Sequence, residues 1–430
     1  MKKKQKQKFF QAPKGMRDIL PEDQPYWDKF LKNAEELARD YGFSKIETPI
    51  LEDAELFARG TGETSDVVTK QMYSFKTLAG RTLALRPEGT PGVVRAYLEN
   101  GLSNLPSPLK FFYSGPMFRY EQPQQGRTRQ FWQFGLETIG DKEAVLDVQI
   151  IQLCLRILKG AGLKKIDVQI NSLGCSHCRS GFRRALMDYY RHRKNKICPD
   201  CQKRLKENPL RLLDCKEEKC QPVKSQAPSS LEYLCAECKA HFKSVLEFLD
   251  ELEIPYFLNK NLVRGLDYYT KTIFEFWLEG ENSENPLALG GGGRYDNLIQ
   301  NLGGKSTPAV GASLGADRVV LAMKKEEVKA SSGYNPKVFL VQLGDRGKKK
   351  SLKLFEALHQ ADIVAAESFS RDSIKAQLKI ADRLGVKFAL ILGQQEALDG
   401  TIIVRDMAAG SQEIVPQEKI VEEMKKRLKR

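Results

Sequence analysis

Five short segments concentrate the side chains that could handle a phosphate, an amine or an imidazole. Leu85-Arg86-Pro87-Glu88-Gly89-Thr90 is a charged turn at a strand end, and taken alone it reads as a plain loop and helix cap. Phe118-Arg119-Tyr120-Glu121 leads through Arg127 and Arg129 into Phe131-Trp132-Gln133-Phe134-Gly135-Leu136-Glu137. On an extended run Gln133, Gly135 and Glu137 share one face, which makes either a polar pocket floor or a solvated sheet face. Arg264-Gly265-Leu266-Asp267-Tyr268-Tyr269-Thr270 packs a guanidinium, a carboxylate and two phenols ahead of an apolar strand. Gly290-Gly291-Gly292-Gly293-Arg294-Tyr295-Asp296 would let backbone approach a ligand closely, though any tight turn also uses glycines. Gly311-Ala312-Ser313-Leu314-Gly315-Ala316-Asp317-Arg318 reads as a strand feeding a helix start. Together they offer Arg119, Arg264, Arg294 and Arg318 for phosphate, and Glu88, Gln133 and Glu137 for an amine or imidazole.

The cysteines form a second chemical group. Of nine, eight fall in close pairs: Cys175/Cys178, Cys198/Cys201, Cys215/Cys220 and Cys235/Cys238. Cys154 stands apart in an apolar helical run and reads as packing. Paired thiolates at this spacing can hold one metal ion from one turn, and two pairs complete a tetrahedral zinc site. Eight ligands would fill two sites, nested so that the outer pairs meet and the inner pairs meet. The competing reading is a segment that has lost its metal and kept its cysteines.

These groups need elements to position them. Residues 25–41 carry an apolar stripe at helical spacing, ended by Gly42. Phe43–Leu51 reads as extended, and Pro49 suits an edge strand or an interface. Strands follow at Arg81–Leu85, Leu109–Tyr113, Phe131–Ile139 and Ile166–Ile170, with an apolar helix at 144–158. From about 172 to 260 the chain turns Lys/Arg-rich and helical and holds all the paired cysteines, so it reads as an inserted domain. Strands resume at Thr272–Leu278 and Leu287–Leu289, and a strand and helix span Ala309–Met323. A charged stretch with Ser, Gly, Asn and Pro makes 326–336 a linker. Beyond it, strands at Val338–Leu343, Ile363–Ala365, Phe388–Leu392 and Ile402–Val404 alternate with helices at 347–361 and 373–384. A last helix covers 417–430. That is a small α/β domain over 337–430.

The whole chain of 430 residues is 41% hydrophobic and 29% charged, a globular balance. No apolar run approaches the roughly 18 residues of a membrane helix. Met1–Lys8 is Lys- and Gln-rich with no apolar stretch behind it, so no secretory signal is read there and the chain reads as cytoplasmic. A net charge of +14 points to a polyanion such as nucleic acid, or to a merely solubilising surface.

The five segments, in this order, resemble histidyl-tRNA synthetases, which are class II aminoacyl-tRNA synthetases, over about Gln11 to the C-terminus. The stretch around Pro49 resembles motif 1, Phe118–Glu137 motif 2 and Gly311–Arg318 motif 3. Arg264–Tyr269 and the Gly-Gly-Arg-Tyr-Asp at 292–296 resemble stretches specific to the histidyl group. The cysteine pairs are not family-wide, and Asp317 stands where Glu is commoner.

The resemblance implies an α+β class II core, an antiparallel sheet with flanking helices, at 1–171 and 261–325. It also implies a helical insertion, here the helical Cys-rich stretch at 172–260, and a C-terminal α/β anticodon-binding domain at 337–430. The implied reaction joins L-histidine to ATP, taken with Mg, and then to the 3′ end of tRNA(His), in a homodimer. Arg119 and Arg264 would be catalytic on the α-phosphate. Arg119, Glu121 and Arg318 would bind ATP. Glu88, Thr90 and Gln133 would hold the α-amino group. Glu137 and Tyr269 would grip the imidazole, with Tyr268 beside them.

Two other readings compete. Inactive paralogues that bind histidine for regulation lack the anticodon domain and lose the catalytic arginines, whereas 336–430 and Arg119, Arg264 and Arg318 stand here. A zinc-stabilised RNA-binding protein would explain charge and cysteines but leave Arg264–Tyr269 idle.

Overall fold

The computed structural model describes residues 10–124, 126–278, 288–331 and 333–429. The lysine-rich N-terminal residues 1–8 and Leu287, where a strand was expected to begin, lie outside them. The chain divides into two compact units, Met1–Ala330 and Ser331–Arg430.

The first unit opens with α1 (Gln24–Asp40), which begins with Pro25 in its first turn and buries Trp27, Phe30, Ala34 and Ala38. That stripe at i, i+3, i+7 and i+11 is the helical period made physical. After it come β1 (Ser44–Lys45) and β2 (Leu51–Asp53), then α2 (Ala54–Thr61), β3 (Ser74–Lys76), β4 (Thr82–Leu85) and α3 (Thr90–Glu99). The chain continues through β5 (Leu109–Phe118), β6 (Gln130–Ile139), α4 (Ala144–Gly160) and β7 (Ile166–Ser172). The cysteine-bearing stretch supplies α5 (Ser176–Arg191), α6 (Pro199–Glu207), α7 (Gln221–Ser225) and α8 (Ala236–Glu251). The unit ends with β8 (Phe257–Leu258), β9 (Thr270–Leu278), β10 (Gly290–Arg294), α9 (Leu298–Asn301), β11 (Ala309–Gly315) and α10 (Ala316–Lys325).

Eight strands form one sheet in the order β1-β5-β6-β11-β10-β9-β7-β8. It is antiparallel except for its short edge pairs, β1 with β5 and β7 with β8. One face is apolar and covered by helices. Phe134, Leu136, Val168, Phe274, Phe276 and Leu314 pack there under α1, α4, α8 and α10. Alternation then turns Gln133, Gly135 and Glu137 to the opposite face. The last helix of the cysteine-bearing stretch, α8, belongs to this cover through Phe242, Val245 and Leu249.

Several expectations shift. Within the extended Phe43–Leu51, only Ser44 and Lys45 join the large sheet as a strand, against Phe111 and Phe112 on its edge. Leu51–Asp53 joins β4 and β3 in a separate small sheet. β5 runs past Tyr113 to Phe118. Pro116 is tolerated there because β1 covers only Phe111 and Phe112, which leaves its nitrogen side unpaired.

The glycine run is not a tight turn, and Gly290 and Gly291 line the cavity described below. Gly290–Gly293 form β10 in mid-sheet, between β9 and β11. Arg294, offered above for phosphate, is fully buried and is not among the residues lining the cavity. Its Nε donates to Asp147 Oδ2 at 2.7 Å and its Nη2 to the Glu143 carbonyl at 2.7 Å. It therefore ties β10 to the start of α4. Breaking a buried pair by removing one partner typically costs about 3–5 kcal/mol. Arg294→Ala should lose about that much, read as a lower urea midpoint; an unchanged midpoint would exclude the strut.

The second unit is a five-stranded sheet built from β12 (Val338–Gln342), β13 (Ala365–Glu367), β14 (Phe388–Leu392), β15 (Thr401–Asp406) and β16 (Gln412–Pro416). The order is β13-β12-β14-β15-β16, the first three parallel and the last two antiparallel. Its helices are α11 (Gly344–Gln360), α12 (Ile374–Arg383), α13 (Gln394–Asp399) and α14 (Ile420–Lys429). β13 starts two residues later than expected because the Ile363 amide is spent on the Leu358 carbonyl at the end of α11. β16 and α13 were not anticipated. β16 is a mostly exposed edge strand, and α13 is under two turns long.

Candidate active site

The open face of the large sheet holds a cavity of about 310 Å³. Glu88, Thr90, Gln133, Tyr268 and Tyr269 line it, as do Arg119, Glu121, Arg264 and Arg318. Glu137 does not itself line it: almost fully buried, its carboxylate lies directly behind the lining residues Thr90, Tyr113 and Tyr295. Segments far apart in sequence therefore converge, because β6, β11, β10 and β9 are neighbours in the sheet.

Glu137 is the centre of the polar end. Thr90 Oγ1 donates to its Oε1 at 2.7 Å, and Tyr295 Oη donates to its Oε2 at 2.6 Å. Tyr113 Oη lies 3.5 Å from Oε1. Burial pushes this carboxyl up to about 8, although the Tyr295 and Thr90 hydroxyls favour its ionised form. The register explains how it fits. Glu137 lies opposite Gly311 on β11, where a Cβ would come within 1.8 Å of Oε2. Only glycine leaves the carboxylate its place.

Glu88 forms a second buried carboxylate. It accepts from Tyr268 Oη at 2.7 Å and Thr61 Oγ1 at 2.9 Å. Burial raises its pKa, and the charges of Arg119 and Arg264 act against that rise. Gln133 Oε1 is buried with no hydrogen-bond partner among the described residues. A buried polar atom of this kind calls for a ligand donor.

The other end is cationic. Arg119 Nε donates to the Pro87 carbonyl at 2.9 Å, and its guanidinium lies over the Phe131 ring at 5.3 Å. One edge is thus fixed while the rest can meet an anion. Arg264 pairs with Glu275 at 2.5 Å and stands 5.5 Å over the Tyr269 ring. Gly291 makes room for it, since a Cβ there would lie 2.7 Å from Nη1. Arg318 donates to the carbonyls of Gly126 and Ala288 at 3.0 and 2.8 Å. Burial, then the Arg127 charge, lowers it to about 10. The backbone carbonyl of Glu121 accepts from Arg129 Nε at 3.3 Å. Asp317 receives the Trp132 amide at 2.8 Å and Arg17 at 3.2 Å, locking β6 to α10.

Some members of the site were not picked out from sequence. Tyr295 lay inside a motif already singled out but had no role. Glu275 alternates with the core residues Phe274 and Phe276, so period two would have turned it to the cleft. Thr61 and Tyr113 carry no local signal.

The cysteines gather in two sets. Cys175, Cys178, Cys235 and Cys238 form one, and Cys198, Cys201, Cys215 and Cys220 the other, each with all sulfurs within 4.8 Å. Cys175 and Cys178 sulfurs are 3.6 Å apart, and Cys198 and Cys215 sulfurs 3.9 Å. A tetrahedron with Zn–S bonds of about 2.3 Å has edges of roughly 3.8 Å. The Cys235 amide points at Cys178 Sγ and the Cys198 amide at Cys220 Sγ, at 3.1 and 3.2 Å. Such donors suit thiolates. The residues present therefore fit a four-sulfur metal site twice.

Comparison with known proteins agrees with this geometry. The family profile "Histidyl-tRNA synthetase" matches residues 15–319, and "Anticodon binding domain" matches 337–427. A histidine–tRNA ligase of Dehalococcoides mccartyi is 43% identical over 98% of this chain and 100% of its own. One from Desulforamulus reducens is 42% identical over 95% of this chain and 97% of its own. The crystal structure of apo S. aureus histidyl-tRNA synthetase is 36% identical, with a TM-score of 0.80 over 96% of this chain and 99% of that one. By its motifs, its fold and these similarities, the chain belongs to the histidyl-tRNA synthetase family.

Proposed function

We infer that the chain is a histidine–tRNA ligase, activating L-histidine with ATP to histidyl-adenylate and passing it to the 3′ end of tRNA(His). The observation that carries this reading is one cavity with a hydroxyl-bound buried carboxylate at one end and three arginines at the other. Glu137, held by Thr90 and Tyr295, would face one imidazole nitrogen, and Tyr269 the other. Glu88 and Gln133 would take the α-amino group. The Thr90 hydroxyl, first assigned to that amino group, is engaged with Glu137 and would orient it. Tyr268 would fix Glu88 in the same way. A site that satisfies both imidazole nitrogens rejects analogues lacking one by about 10⁴-fold, because its own buried groups would stay unpaired.

Activation is in-line attack of the histidine carboxylate on the α-phosphorus, with pyrophosphate leaving. Arg119 and Arg264 would hold the oxygens on which charge builds, and a fixed fork of donors suits them to it. Arg318 would lie against the nucleotide and Glu121 would accept from the adenine amine. Magnesium carried with ATP would screen the leaving pyrophosphate. Transfer follows when the tRNA terminal hydroxyl attacks the carbonyl and AMP leaves.

Residues 172–260 would embrace the tRNA acceptor arm and 337–430 the anticodon, where basic side chains meet phosphates. A homodimer through the Phe43–Leu51 edge and a cytoplasmic location fit the family. Among the described residues no helix is long and apolar enough to cross a membrane. Pyrophosphate exchange tested with all twenty amino acids should respond to histidine alone. A chain that binds histidine without exchange would be a regulator instead.

The two thiolate sets would each hold a structural zinc ion. Purified protein should carry close to two zinc per chain, measured by elemental mass spectrometry, and chelation should lower its melting temperature. Protein made in zinc-replete cells with no bound zinc would refute this.

A further inference from the structure

The cysteine sets lie outside the cavity, yet residues interleaved with their ligands grip the loop that carries the histidine-facing tyrosines. Arg179 directly follows Cys178. Its Nη1 donates to the carbonyls of Asp267 and Tyr269, both at 3.1 Å. Gly174 directly precedes Cys175, and its carbonyl accepts from the Lys271 amide at 2.9 Å. Glu237 lies between Cys235 and Cys238, and Lys271 Nζ reaches its carboxylate at 3.4 Å. Lys271 itself has φ +45°, a conformation that a side-chain-bearing residue keeps only when its surroundings enforce it. Every one of these holds comes from the outer cysteine set.

The inner set grips the same loop from other elements. Between Cys201 and Cys215, Asn208 Nδ2 donates to Asp267 Oδ1 at 2.9 Å. Arg211 pairs with Asp66 at 3.0 Å, just before the Val67–Gln71 segment of the cavity wall. Its Nη1 would lie 3.4 Å from a Cβ at Gly265. Asp267 is the meeting point. Its amide also donates to the Thr61 carbonyl at 3.0 Å, and Thr64 Oγ1 donates to its Oδ2 at 3.3 Å. Thr61 in turn holds Glu88.

We propose that the two four-cysteine sites form a two-sided brace on the Arg264–Tyr269 loop, with Arg179 and Asn208 as positioning residues that set histidine affinity. The metal-dependent part of this rests on the zinc reading above; the positioning part does not. A closed four-ligand site fixes where the segment that carries its ligands sits. Here that segment's position decides where Tyr268, Tyr269 and the neighbouring Glu88 stand. Loss of metal would loosen the histidine end of the cavity first, because Arg119 and Arg318 are held by carbonyls outside the cysteine-bearing stretch.

The test uses full-length protein and two variants, Arg179→Ala and Asn208→Ala. Zinc content, melting temperature, histidine affinity by calorimetry and both KM values in exchange are measured for each. The expected result is a histidine KM and Kd raised about tenfold, with ATP KM within twofold and zinc retained. Unchanged histidine affinity in both variants, or equal rises in both KM values, would overturn the brace. Should Arg179→Ala fold poorly, the half-buried Asn208 decides alone. Chelated wild-type protein should show the same histidine-selective loss, reversed by added zinc ions. Protein that never held zinc, together with an affected Arg179→Ala, would sink the metal reading and leave the positioning residues standing. Zinc present with neither variant affected would do the opposite.

Discussion

Arg264→Ala should cut histidine-dependent pyrophosphate exchange by about 10³-fold, the upper end of what one lost donor to a charge-building oxygen costs. Histidine affinity should fall much less. Two features make the loss large. Arg264 is pre-positioned on both sides, by Glu275 at 2.5 Å and by the Tyr269 ring at 5.5 Å, so it needs no reorganisation when charge develops. Glu275 is half-buried, burial raises its pKa, and removing its partner leaves an unpaired acid in the cavity wall. Lysine should rescue only partly, because a point charge cannot serve the carboxylate and a phosphoryl oxygen with the same fork. Exchange rates and histidine binding measured on one preparation decide it. A variant with normal exchange would refute the assignment.

Glu137→Gln should raise the histidine KM by at least about 10²-fold while stabilising the unliganded protein at alkaline pH. The sign follows from linkage. The folded carboxyl is pushed up to about 8 against an ordinary 4.5, chiefly by burial. Between those values the folded chain keeps a proton that the unfolded chain releases. Wild-type stability therefore falls as pH rises from about 4.5 through 8, and glutamine, which does not titrate, escapes that fall. The difference in melting temperature, variant minus wild type, should increase steadily from pH 5 to pH 8. A flat difference across that range would show that the carboxyl ionises normally. The paired outcome, better stability with ruined binding, is the signature of a group held in an unfavourable setting for the sake of its ligand.

How much of this could be read from the chain alone depends on whether a signal was local. Alternation in Phe131–Glu137 is local, and it turned Glu137 and Gln133 towards the cleft and Phe134 and Leu136 towards the helices. The cysteine spacing is local too, and the outer pairs meet as the inner pairs do. Arg264 and Arg294 looked alike in sequence, each next to a glycine and a few residues at most before a tyrosine. What separates them is Asp147, which reaches Arg294 from a helix 147 residues earlier. Thr61 and Tyr113 were hidden for the same reason, since each matters only through a carboxylate brought from another segment, Glu88 in the turn before α3 and Glu137 on β6. The glycine run misled because four glycines in a row normally mark a turn. Here they stay in a strand: Gly291 leaves room for Arg264, while a Cβ at Gly290 or Gly292 would run into β11 and one at Gly293 into β9.

The floor opposite Glu137 and beneath Arg264 is already made of the smallest residue, at Gly311 and Gly291. Anyone redesigning the pocket for a bulkier amino acid has nothing left to trim there. Extra room would have to come from Tyr113, Tyr268 or Tyr295, which belong to the apolar cluster that the insertion helices share. Widening the specificity of this protein should therefore exact its toll in melting temperature.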